Sequence, residues 1–127
     1  MSAAQDVCRA FPAELGSVAA ARRFVRDALA DLDEEQRYGL TLVVSELATN
    51  ALLHAATSFE VSIHHDSSVR IGVTDCDPTP PIPRQASPTD TSGRGLHLIE
   101  QLCTRWGVEP VDGGKCVWCE LDLSAMA

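Results

Sequence analysis

Glu46 and Asn50 stand four residues apart in segment 40–55, LTLVVSELATNALLHA, which is otherwise mostly apolar. A carboxylate and a carboxamide are costly to place in such a segment unless something uses them, because burial takes their hydrogen bonds to water away. At ~100° per residue, Leu40, Val43, Val44, Leu47, Ala51 and Ala55 fill one apolar arc, and Glu46 and Asn50 lie ~40° apart at its margin. Thr41, Ser45 and Thr49 form a separate polar stripe. The acid and the amide therefore belong at the edge of a core, where a pocket can open, rather than on the water-facing side. The competing reading is a solvated or helix-pairing Glu and Asn.

Two other places carry groups that can do chemistry. In VRIGVTD (69–75), Val69, Ile71 and Val73 share one strand face, and the same parity points the Asp75 carboxylate toward the layer where helices pack. Gly72 in the same strand marks a close approach by another group. Farther on, Ser92, Gly93, Arg94, Gly95 and Leu96 open LHLIEQLC, a short helix with Leu96, Ile99 and Leu102 or Cys103 inward. Glycines at a helix start leave backbone N–H groups available to an anion. Taken alone, a GxG is as readily a plain turn.

Other clusters lead nowhere chemically. Cys116 and Cys119 form a CxxC, but KCVWCELDL alternates like a strand, so the two thiols point to opposite faces and cannot share a metal. Five cysteines at uneven spacing suit reduced thiols better than a disulfide framework. His54, His64, His65 and His97 show no ligand spacing and read as surface or core-edge residues.

The elements that must position these groups follow from periodicity. Residues 7–11 read as an edge strand closed by Pro12, and 13–32 as an amphipathic helix with Arg22, Arg23, Arg26 and Asp27 mainly on its polar side. Asp33 is an N-cap candidate for a second helix over 34–55, whose first turn is acidic, as the helix dipole favours. FEVSIHH (59–65) and VRIGVTD (69–75) alternate as strands around a turn at Asp66, Ser67 and Ser68. Segment 77–91 holds five prolines in fifteen residues and reads as a long binding or lid loop. Residues 105–110 and 115–123 form a hairpin through VDGG, with Val117, Cys119, Leu121 and Leu123 on one face.

With 127 residues and 45% hydrophobic content, the chain suits one domain, without repeats or linkers. A net charge of −8 argues against direct contact with nucleic acid or an anionic membrane. No apolar run approaches the ~18 residues of a spanning helix, and the first residues lack the blocks of a secretion signal, so a soluble, cytoplasmic protein is expected.

A helix with ExxxN, a strand ending in a core-facing Asp, a long loop, GxG at a helix start and a closing hairpin occur in that order. The sequence resembles the GHKL ATP-binding fold shared by gyrase, histidine kinases and MutL, and more closely the small anti-sigma-factor serine kinases of bacteria. The resemblance spans about 11–123, with SELATNALLHA as the N box, VTDCDPTPP as the first glycine box and TSGRGLHLI as the second. It implies an α+β, two-layer α/β sandwich of Bergerat type: a mostly antiparallel mixed sheet covered on one face by about three helices. It also implies ATP and Mg2+ as cofactors.

In such folds Asn50 would bind magnesium through its side-chain oxygen, and Glu46 would be the base toward the attacking hydroxyl. Asp75 would accept a hydrogen bond from the adenine amino group and select adenine over guanine. Gly93, Arg94, Gly95 and Leu96 would lie along the phosphates. The implied function is an ATP-dependent anti-sigma factor that phosphorylates its antagonist. The implied partners are a sigma factor and a STAS-type anti-sigma-factor antagonist, and possible homodimerisation is a family expectation. A departure is Asp77, which stands where family members often carry the glycine of DxGxG. Alternatives are a catalytically inactive ATP-binding regulatory module or the ATP-binding fragment of a histidine kinase.

Overall fold

The structure is a computed structural model that describes residues 5–55, 57–76 and 99–123, excluding the side chains of residues 54 and 55. Five strands, β1 (Gln5–Phe11), β2 (Phe59–His65), β3 (Ser68–Asp75), β4 (Arg105–Val111) and β5 (Gly114–Asp122), form one sheet in the order β1-β2-β3-β5-β4. Every neighbouring pair is antiparallel, so the described sheet contains no parallel pairing and the mixed sheet of the sequence reading narrows to an antiparallel one. Helices α1 (Gly16–Ala28) and α2 (Glu34–Asn50) cover one face, which completes the two layers of an α+β sandwich.

Alternation decides which face is covered. Phe59, Val61 and Ile63 of β2, Val69, Ile71 and Val73 of β3, and Val117, Cys119 and Leu121 of β5 all point into the core, where Val25 of α1 and Leu40, Val43, Val44 and Leu47 of α2 meet them. Each fully buried aliphatic side chain contributes roughly 1.5–3 kcal/mol, and this sum holds the helices to the sheet. Phe11 stacks on Phe59, with ring centroids 5.4 Å apart, and fastens edge strand β1 at the same corner.

The first helix is shorter at both ends than its apolar spacing predicts. Leu29 and Leu32 are buried, as the spacing requires, but they sit on the turn after α1, where Leu32 N–H bonds the Leu29 carbonyl. Apolar spacing reports burial, not the hydrogen bonds that define a helix end. Arg37 closes this turn by donating from Nη1 to the carbonyls of Ala30 (3.2 Å) and Leu32 (3.1 Å). Asp33 caps α2 by accepting from Gln36 N–H at 2.8 Å, with Glu34 and Glu35 following in the first turn.

The second helix does not run unbroken to Ala55. After Asn50 the backbone widens into a single π-helical turn, Ala51–Ala55, which leaves Leu53 exposed. Such turns occur often at functional sites. Side-chain periodicity cannot register the change, because moving a hydrogen bond by one residue alters the backbone before it alters the apolar pattern.

The other face of the sheet carries its own contacts. A Cβ on Gly72 would lie 2.9 Å from both Cys116 Sγ and Ser62 Oγ, so the close approach expected there comes from neighbouring strands on the face away from Asp75. Trp118 lies against Gly107, and the Arg70 guanidinium sits 4.0 Å from its ring while also pairing with Glu109. Cys116 faces this side and Cys119 the core, as the alternation requires.

Near the β2–β3 turn, His64 contacts Asp6 (2.6 Å) and Asp66 (3.1 Å), and these carboxylates raise its proton affinity, Asp6 more strongly. A folded-state pKa above the ordinary 6.5 means that this contribution to stability is fully present below about pH 6.5 and is lost as pH rises through the raised value. An NMR titration should show the His64 midpoint falling toward the ordinary value in Asp6→Asn. An unchanged midpoint would remove Asp6 as the cause.

Candidate functional site

Of the groups singled out in the sequence, Asn50 and Asp75 stand on elements whose ends two hydrogen bonds of Thr57 join. Thr57 N–H reaches the Ala51 carbonyl (3.5 Å), and Thr57 Oγ1 accepts from Cys76 N–H (3.2 Å). Thr57 thus ties the π turn after α2 to the end of β3, and the last residue of each element is a candidate: Asn50 on α2 and Asp75 on β3.

Asn50 Oδ1 is buried and has no hydrogen-bond partner among the described residues. An unsatisfied carboxamide oxygen costs about 1–3 kcal/mol, so its retention at the end of a core helix points to a ligand that supplies the missing partner. A hard divalent cation, or water held on one, fits a neutral oxygen donor of this kind. Glu46 lies one turn earlier on α2 and is half-buried. The Thr stripe of α2 is occupied internally: Thr41 Oγ1 donates to the Arg37 carbonyl and Thr49 Oγ1 to the Ser45 carbonyl, both one turn back. These hydroxyls serve the helix.

Asp75 lies on the core face, as its strand parity requires, with 8% of its surface exposed. Its carboxylate accepts from Lys115 Nζ through both oxygens, at 2.9 and 3.1 Å. The sequence reading missed Lys115, although a signal was present: it stands two residues before Val117 on β5, in phase with Val117, Cys119 and Leu121. Strand register makes it the partner of Asp75. The described core face of β5 therefore begins at Lys115, and Leu123 is only half-buried.

Two glycines shape the start of β5 for different reasons. Gly113 adopts φ 74°, which the tight β4–β5 turn needs and other residues resist. A Cβ on Gly114 would fall 1.9 Å from the Asp75 carbonyl oxygen, so only glycine lets the start of β5 run this close to the end of β3.

Gly93, Arg94, Gly95 and Leu96, expected along an anion, lie outside the described residues, as does the proline-rich loop 77–91. The helix expected to follow them is seen from Ile99, which is fully buried in the core. Among the described residues no helix is long and apolar enough to cross a membrane.

Comparison with known proteins gives a consistent reading. Residues 11–121 match the family of histidine kinase-like ATPase domains. An uncharacterised protein of Streptomyces coelicolor is 49% identical over 53 residues, covering 40% of this chain and 50% of the relative. Among solved structures, the RsbU and RsbW domains of Rv1364c from Mycobacterium tuberculosis superpose with a TM-score of 0.71 at 18% identity, over 92% of this chain and 32% of that one. The chain thus spans half the length of this relative and about a third of that structure, and the structural likeness is one of fold.

Proposed function

The chain belongs to the histidine kinase-like ATPase family, the GHKL ATP-binding domains, and from that premise we propose that it transfers the γ-phosphoryl group of Mg-ATP to a serine or threonine of a small antagonist protein. The observation that carries the reading is the orphaned, buried Oδ1 of Asn50, one turn from Glu46 and tied through Thr57 to the strand end that bears Asp75. Asn50 would hold magnesium, which would supply positive charge to offset that of the phosphates.

Glu46 sits on the rigid α2 helix and serves as the base that orients the attacking hydroxyl and takes its proton. Phosphoryl transfer otherwise needs mainly positioning. Asp75 accepts from the amino group of the base. Gly93, Arg94, Gly95 and Leu96 would lie along the phosphates, since backbone N–H groups at a helix start suit an anion.

The regulatory consequence is partner switching: the protein holds a sigma factor until an unphosphorylated STAS-type antagonist draws it away, and phosphorylating the antagonist resets the exchange. A net charge of −8 fits protein partners rather than nucleic acid. The direct test incubates the protein with γ-labelled ATP, magnesium and the antagonist encoded beside it. Label on an antagonist serine or threonine supports the reading, whereas ATP binding without transfer to any antagonist leaves a nucleotide-binding module.

The Asn50 oxygen makes a sharper prediction. Asn50→Leu removes a buried acceptor that lacks a partner among the described residues and fills similar volume. The nucleotide-free protein should be as stable as the parent or up to about 1–3 kcal/mol more so in urea unfolding, while magnesium no longer strengthens ATP binding. A variant that loses stability but keeps the magnesium dependence would show that Asn50 is a structural residue.

A further inference from the structure

We propose that Lys115 reads the base of the nucleotide together with Asp75: the carboxylate accepts from the exocyclic amino group, and the Lys115 ammonium donates to the neighbouring ring nitrogen, N1. The proposal rests on the nucleotide reading above and goes beyond it by assigning a second recognition residue on another strand.

Asp75 alone complements only half of that edge. Adenine presents a donor, the amino group, beside an acceptor, N1, whose lone pair a carboxylate repels. A donor adjacent to the carboxylate completes the match, and the structure supplies one: Lys115 Nζ lies 2.9 and 3.1 Å from the two Asp75 oxygens. A carboxylate offers about four lone-pair sites, so accepting from one ammonium does not prevent it from accepting from an amino group as well. A base that donates to Asp75 therefore brings its ring nitrogen into the neighbourhood of Nζ.

Burial sharpens the point. The side chains of Lys115 and Asp75 are 10% and 8% exposed. A buried ion pair is commonly no better for stability than apolar residues of similar volume, so stability alone gives weak reason for a charged pair at this place in the core. The two groups are also held on paired strands rather than on a loop, with Gly114 permitting the close passage, which is the rigid mounting a recognition pair requires.

The test is calorimetric titration of the whole chain, with magnesium, using ATP and 1-deaza-ATP, in which C–H replaces N1. The unaltered protein should bind 1-deaza-ATP ~10–100-fold more weakly, the range for a hydrogen bond to a charged group. Lys115→Arg, which keeps a donor, should preserve the discrimination, and Lys115→Met should bind the two nucleotides alike. Equal binding of the two by the unaltered protein overturns the role of Lys115 while leaving the nucleotide reading intact, and that comparison needs no variant to fold. Failure to bind ATP at all overturns both.

Discussion

Replacing Glu46 by glutamine should slow phosphoryl transfer to the antagonist by about 10²–10⁴-fold, the usual worth of a positioned general base, and leave ATP affinity unchanged. Glutamine keeps the shape and most of the hydrogen-bonding capacity of the side chain on α2 and loses only its basicity. A general fall in activity from misfolding would lower binding and transfer together, so paired measurements of nucleotide affinity and single-turnover transfer separate the two causes. Transfer at the parent rate would remove Glu46 from the role of base. The group would then belong to the wall of the pocket.

The second large effect is expected at Lys115 and Asp75 and concerns stability. Removing one partner of a buried ion pair takes away the charge that offsets the other, at a cost of about 3–5 kcal/mol, so Lys115→Met and Asp75→Leu should each lower stability by up to that much. This is a large share of the ~5–15 kcal/mol that typically separates folded from unfolded domains. The double variant should be far less damaging than the sum of the singles, because it removes both charges of the pair together. Urea unfolding of the four proteins gives the coupling directly. Additive losses would show that the two groups, 2.9 Å apart, do not depend on each other.

Those residues also mark how far the sequence is legible. The β2–β3 hairpin can be read to within a residue, 59–65 and 69–75 against Phe59–His65 and Ser68–Asp75, because alternation of period two and a short polar turn leave little freedom in register. The inward aim of Asp75 follows from the same parity. What it touches does not, since the contact with Lys115 joins two segments forty residues apart and depends on which strands become neighbours. Once β3 is known to pair with β5, the contact is a matter of counting.

The π turn after Asn50 escaped for another reason: apolar periodicity tracks side chains, whereas the turn is a change in backbone hydrogen bonding. Within the candidate site, Glu46, Asn50 and Asp75 were legible as polar groups at the margin of apolar patterns. The orphaned Asn50 oxygen became visible only when its surroundings were.

The two outer strands of the sheet differ in what they offer a further strand. Of the edges formed by β1 and β4, the latter carries Pro110, which has no N–H to give, and exposed charges at Arg105 and Glu109. Proline and charge are the features that keep a sheet margin from recruiting another chain. The β1 margin also carries exposed charges, at Asp6 and Arg9, but it has no proline within Gln5–Phe11, so every residue there keeps its amide N–H. On the described sheet, proline therefore withholds an amide from an incoming extended peptide at the margin beside Trp106 and not at the margin beside Cys8.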